Sequence, residues 1–195
     1  MKTATTNAAL AVLLLPLLAI AQDPPSADPS EAMMAAFQAS MTPGEQHAML
    51  AGKVGRFTAT VKSFEDPSGE PVVSESEVVR TMELGGRVLH ETWTGEVMGM
   101  PFEGIGRTGY DNVTGRFWTT WTDNLSTGLF LGYGDWDPAG LAMEFHGQMP
   151  DPMTGTMIDT RSVAWDTGDG VEHMAMFREM GGQEVKIMEF ELRRR

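Results

Sequence analysis

The amino-acid sequence predicts an all-β protein: a single up-and-down antiparallel β-barrel of about ten strands, preceded by one or two short helices. From Val54 onward, apolar and polar residues alternate with the period of a half-buried strand, and turn dipeptides recur about every ten to fourteen residues. No gap after Val54 is long enough for the helical crossover that parallel strands need. A meander of this length exposes two sheet edges. Closing it into a barrel removes both edges, whereas a two-sheet sandwich, the alternative, only shortens them.

Residues 1–21 have the pattern of a secretory signal peptide. Lys2 precedes an apolar run from Ala8 to Ile20, and small residues end the segment at Ala21. The run is shorter than a bilayer span and contains Pro16, so we expect cleavage after Ala21 and no stable membrane insertion afterwards. The predicted location is therefore the periplasm or the extracellular space.

Residues 22–41 are predicted to form a flexible, Pro-rich tether and a short helix, and residues 42–195 the barrel domain. Ser30 is a candidate cap for the first helix, which would end near Ser40. The sequence Thr42-Pro43-Gly44-Glu45 matches a capping box, which predicts a second short helix ending near Leu50.

Ten strands are expected after these helices, separated by turns that contain Gly, Asp, Asn and Pro. The predicted strands cover residues 54–64, 71–84, 87–97, 102–110, 115–123, 127–136, 141–148, 156–166, 170–178 and 184–193.

The charge of the chain argues against a nucleic-acid partner, and its lack of cysteine argues against disulfide bonds. The chain has 27 acidic and 14 basic side chains, a formal net charge of −13, and such a surface repels nucleic-acid phosphates. There is no cysteine, so no disulfide framework and no lipid-modified cysteine is expected. We therefore predict no nucleic-acid partner, and no particular protein partner is indicated.

Several sequence blocks resemble one bacterial family. The stretch from Gly99 to Gly106, GMPFEGIG, continues into Thr108-Gly109-Tyr110-Asp111-Asn112. Together with Pro150–Gly155, Leu84–Arg87 and Trp121–Asp123, it resembles domain-of-unknown-function family 1579 (DUF1579) over residues 42 to 193. Phe57 departs from the family pattern, which often has Trp there. The resemblance implies a lipocalin-like barrel, often exported, and it brings no reaction and no catalytic residues.

The candidate ligand-binding residues are polar side chains that share a strand face with aromatic residues. A barrel of this size either fills its interior or holds one small ligand, and pockets combine apolar walls with few polar groups. If these faces point inward, we expect the barrel to bind a small apolar or amphipathic molecule. The alternative is that they are outward, solvated faces. The candidates are Glu91, Trp93, Glu103, Arg107, Trp121, Asp123 and Arg161.

Other functions remain open at this stage. An enzyme could use interior carboxylates such as Glu91, Glu103 or Asp123 for acid–base chemistry, and a structural or protein-binding envelope module is a further alternative. Sixteen methionines and four histidines suggest copper, but methionine is also a flexible core residue. We predict no metal site and no cofactor.

Overall fold

The computed structural model describes residues 28–64, 66 and 69–195. The predicted signal peptide, residues 1–21, and the first part of the predicted tether lie outside the described residues. The elements are, in chain order, α1 Pro29–Met41, α2 Glu45–Ala51, β1 Gly55–Ser63, β2 Val72–Glu83, β3 Val88–Val97, β4 Met100–Asp111, β5 Arg116–Asp123, β6 Phe130–Asp137, β7 Ala142–Asp151, β8 Thr156–Asp166, β9 Val171–Met180 and β10 Gln183–Arg194.

The ten strands form one closed antiparallel barrel. Each strand pairs with the next along the chain, and β1 also pairs with β10, from Phe57 opposite Arg194 to Ser63 opposite Met188. The predicted fold class is therefore confirmed. The strand ends predicted from alternation agree with the structure to within three residues.

Tight turns fix the register of the hairpins. Met98 and Gly99, between β3 and β4, have φ angles of 53° and 77°, and Gly181 and Gly182, between β9 and β10, have φ angles of 60° and 80°. Positive φ at both central residues is typical of the two-residue turn whose twist matches that of the strands. These turns determine which residues of neighbouring strands share a face.

Both helices begin differently from the prediction. Asp28, rather than Ser30, caps α1, because its carboxylate accepts the Ser30 N–H at 2.9 Å. The predicted capping box at Thr42 is wrong, since the Thr42 hydroxyl donates instead to the Gln38 carbonyl at the end of α1. At α2 the Gly44 N–H donates to Nδ1 of the buried His47 at 3.1 Å.

The two helices differ in how they contact the barrel. Leu50 of α2 is buried against the ends of β3, β5 and β7, so α2 covers one end of the barrel. No residue of α1 is buried. Its C-terminal carbonyls accept hydrogen bonds from Asn112 and Arg87. Neither described helix has the length and apolar character that crossing a bilayer requires.

The barrel interior contains two apolar clusters. The first comprises Phe57, Ala59, Val61, Val78, Trp93, Phe190 and Leu192. The second lies beneath α2 and comprises Leu50, Leu89, Phe117, Met143 and Phe145.

Candidate functional site

Four of the seven predicted site residues lie on the inner face of the barrel. Residues directly opposite each other in neighbouring strands share a face. Trp93 lies opposite the buried Val78 on one side and opposite Gly104 on the other. Gly104 lies opposite Asp123. Glu91 lies opposite Gly106, and Gly106 opposite Trp121. The alternating strands thus bring Glu91, Trp93, Trp121 and Asp123 together inside the barrel.

Glu103, Arg107 and Arg161 lie on the outer face. In β4 the inner positions are Gly104 and Gly106, so their neighbours at 103 and 107 face outward. Arg161 is held by Glu184 through two hydrogen bonds of 2.7 Å on the outer surface. These three residues cannot line the interior, and the ligand-binding role of the other four stays a prediction.

Aromatic rings and one carboxylate form the part of the interior farther from α2. The Trp93 ring, which is 3% exposed, meets the edges of Trp121 and Phe190 at centroid distances of 5.8 and 5.7 Å. The indole N–H of Trp121 donates to the Asp123 carboxylate at 2.8 Å. This wall combines a large apolar surface with one anchored acid.

A charged network that the sequence reasoning missed surrounds Arg80, which is only 8% exposed. Its Nε donates to Glu91 at 2.9 Å and its Nη2 to Glu172 at 2.8 Å. Lys53, in the segment between α2 and β1, contacts the second oxygen of Glu172 at 2.7 Å. Two cations and two carboxylates therefore balance one another in this network.

The network favours the ionised forms of Glu172 and Arg80. Burial disfavours the carboxylate of Glu172, but attraction and hydrogen bonds from Arg80, with a further contribution from Lys53, hold the pKa of Glu172 below its ordinary value. Burial likewise disfavours the Arg80 guanidinium, and Glu91 and Glu172 outweigh it, so the pKa of Arg80 is raised. A carboxylate held in this way is a poor proton donor near neutral pH.

Three buried nitrogens on the inner face have no hydrogen-bond partner among the described residues, and one of them, Nε of Arg178, lies on β9. The other two are neighbours on β2 and β3, Nη1 of Arg80 and Nε1 of Trp93, and both can only donate. Buried polar atoms without a partner are uncommon, and each one calls for an explanation.

A pocket of about 600 Å³ opens between α2 and the adjacent rim of the barrel. Its apolar wall consists of Met49 from α2, Tyr110 from β4, Phe117 from β5 and Trp136 from β6. Glu45 and Asp135 also line it. The volume falls within the range of sites for small molecules, and these two carboxylates disfavour anions.

There are physical reasons why the sequence does not predict Arg80 and the pocket residues. Val78 and Val79 are consecutive and both apolar, so alternation does not show which face of β2 carries Arg80. Tyr110 belongs to the sequence blocks that resemble the family, but its residue type alone does not indicate a site. The pocket depends on where α2 packs, which strand periodicity does not specify.

The described part of the chain has no metal-ligand cluster, and the acids considered for catalysis are hydrogen-bonded or exposed. Among the residues that the structure describes, no group of three or more His, Asp or Glu side chains is arranged to hold a metal ion. Of the carboxylates proposed for catalysis, Glu91 and Asp123 are bonded to Arg80 and Trp121, and Glu103 is exposed. Catalysis by these acids stays an untested prediction.

Comparison with known proteins identifies the family. No curated protein matches the chain. The model of the DUF1579 family, described as "Protein of unknown function", matches residues 42–194, which cover α2 and the whole barrel. The suspected resemblance is thereby confirmed, and the chain belongs to the DUF1579 family.

Proposed function

We propose that this protein binds a small, largely apolar molecule that is uncharged or amphipathic, in the pocket between α2 and the barrel rim. The observation that carries the proposal is the pocket itself, about 600 Å³ in volume, with Met49, Tyr110, Phe117 and Trp136 in its wall. Aromatic rings offer a large apolar contact area and the thioether of Met49 adapts to varied shapes, which suits binding of such a molecule.

The electrostatics of the chain favour a ligand without negative charge. Glu45 and Asp135 lie beside the pocket, and the chain as a whole carries a formal charge of −13. An anionic ligand would be repelled both locally and over longer range. The function that the geometry supports best is thus reversible binding of a neutral or weakly polar small molecule.

The first prediction tests whether the pocket is the binding site. We expect the neutral dye Nile red to bind saturably, with a fluorescence increase on entering an apolar environment. Ala48 lies in the pocket wall and is exposed, so Ala48→Phe should fill the pocket without removing a core side chain. The expected result is a dissociation constant raised by about tenfold or more, measured by fluorescence titration.

A matched control comes from the same helix. Ala51 is also exposed but does not line the pocket, so Ala51→Phe should leave Nile red binding unchanged. Equal affinity of the wild type and both variants, or dye binding that never saturates, would exclude this pocket as the site. Circular dichroism and thermal unfolding verify that both variants remain folded.

We also propose that the protein acts outside the cytoplasm, in the periplasm or the extracellular space. The support is the signal-peptide pattern of residues 1–21. Intact-mass analysis of protein taken from its own host should give a chain that begins at Gln22. Recovery of the chain with Met1 still attached, in the cytosolic fraction, would contradict export.

A further inference from the structure

We infer that the barrel interior contains a second recognition site, beside Arg80 and Trp93, for an uncharged hydrogen-bond acceptor such as the carbonyl oxygen of a small ketone, ester or amide. This site is separate from the pocket at α2 and does not depend on the function proposed for that pocket. Its basis is the pair of buried N–H groups without partners, together with the charges that surround them.

The two donors belong to neighbouring strands and the same face. Arg80 lies directly opposite Glu91, and Trp93 follows two residues later on β3. Arg80 and Trp93 are therefore diagonal neighbours, a relation that places Cα atoms about 7–8 Å apart, within reach of long side chains. Both side chains are more than nine-tenths buried, with exposed fractions of 8% and 3%.

The side chains around the two donors are mainly apolar. The Arg80 guanidinium lies 5.0 Å from the centre of the Phe57 ring, and Phe57 and Trp93 belong to the same apolar cluster. The inner position next to Glu91 on β4 is Gly106, where a Cβ atom would approach the Glu91 carboxylate to 2.5 Å. A glycine is needed there because the carboxylate occupies the space that a side chain would take.

The polarity of the site selects an acceptor. Arg Nη1 and Trp Nε1 donate and never accept, so a bound molecule must offer oxygen or nitrogen lone pairs. Leaving such donors unpaired in a low-dielectric interior is costly, and a ligand acceptor would remove that cost.

The charge balance selects an uncharged acceptor. Glu91 and Glu172 already contact Arg80, and Lys53 contacts Glu172, so the network of two cations and two carboxylates is neutral without a ligand. A carboxylate brought to Arg80 would lie close to two like charges in a region with little water. A carbonyl oxygen gains the hydrogen bonds without that repulsion.

The test compares three probes of equal chain length: 2-octanone, octanoate and n-octane. The readout is the indole N–H signal of Trp93 in ¹H–¹⁵N spectra of the full folded chain, assigned by its loss in Trp93→Phe. We expect 2-octanone to move this signal saturably and to bind at least about tenfold more tightly than either other probe.

Two tryptophan variants test whether the Trp93 N–H group contributes to binding. Trp93→Phe keeps a ring but removes the donor, and it should weaken 2-octanone binding about fivefold or more while leaving n-octane unchanged. Trp118→Phe is the matched control, since Trp118 lies opposite Gly109 on the outer face. Arg80 itself is a poor test position because its replacement would remove a cationic partner from both Glu91 and Glu172.

Each contrary outcome has a distinct meaning. Octanoate binding as tightly as 2-octanone would overturn the assignment to an uncharged ligand. An unmoved Trp93 signal, or a single water bridging Arg80 and Trp93 that 2-octanone does not displace, would overturn the site. Ala48→Phe should leave the Trp93 response intact, so failure of the pocket at α2 and failure of this site are distinguishable.

Discussion

Glu172 is the residue through which the charged network should make folding stability depend on pH. It receives Arg80 on one oxygen and Lys53 on the other, at 2.8 and 2.7 Å. Removing one member of a buried ion pair is destabilising because the partner charge is left buried and uncompensated. The contribution of these two contacts to folding should therefore depend on the ionisation of the Glu172 carboxylate.

We expect Glu172→Gln to lower the free energy of unfolding at pH 7 by about 3 kcal/mol. The pKa of Glu172 is lowered on folding from an ordinary value of 4.5. The stabilisation is thus complete above pH 4.5 and is lost as the pH falls through the folded-state pKa. Urea unfolding of both proteins from pH 7 to pH 3 should show the difference shrinking at the acidic end.

An exposed acid provides the comparison for Glu172. Glu184 also has a lowered pKa, caused chiefly by its hydrogen bonds with Arg161, but its side chain is 48% exposed. Solvent screening reduces the value of such a pair, so Glu184→Gln should cost less than about 1 kcal/mol. Equal costs for the two variants, or a Glu172→Gln cost that does not change with pH, would contradict the assigned role of the network.

Among the elements, α1 and α2 differ in what their side chains bury. Leu50 of α2 is 3% exposed and packs with Leu89 and Phe117, whereas Phe37 of α1 is 59% exposed. Stability of a short helix in a protein comes mainly from packing of its apolar face. The barrel and α2 should therefore unfold together, and α1 should contribute little to that transition.

This contrast predicts the effect of equivalent truncations. Leu50→Ala removes a buried side chain and should lower the free energy of unfolding by about 3 kcal/mol. Phe37→Ala removes a larger but exposed ring and should change it by less than about 0.5 kcal/mol. Chemical unfolding measures both; a large effect of Phe37→Ala would show that α1 packs on the barrel in solution.

The sequence predicts the elements better than it predicts the site. Alternation and turn residues place all ten strands because these signals are local. Whether Arg80 or Val79 faces inward depends instead on the pairing of β2 with β1 and β3, and two consecutive valines hide that choice. Glu91 and Trp93 lie on the inner face, as the prediction for β3 required. For β4, the sequence does not show that its glycines face inward, and so it does not show that Glu103 and Arg107 face outward.

The whole molecule is held closed by one pairing between distant parts of the chain. All other strand pairs join consecutive strands, while β1 and β10 bring Thr60 beside Glu191. Closing a loop of this length carries a large entropic cost, which a covalent link would remove from the folding step. The barrel's stability should respond strongly to a crosslink at this position.

A disulfide between Thr60→Cys and Glu191→Cys should therefore raise the free energy of unfolding by about 5 kcal/mol over the reduced form. The chain has no cysteine of its own, so oxidised and reduced proteins differ only at the new bond. The control pair, Thr94→Cys with Glu103→Cys in the β3–β4 hairpin, encloses a short loop and should gain about 3 kcal/mol. A larger gain in the hairpin would contradict the closed arrangement.

The pairing of β1 with β10 also affects how the protein is made. A ribosome synthesises β1 first among the strands, so eight further strands, β2 to β9, are made before its second neighbour, β10. During that interval the growing sheet has two unpaired borders, and the side chains that later fill the interior face water. Newly made chains should need protection from self-association until β10 has emerged.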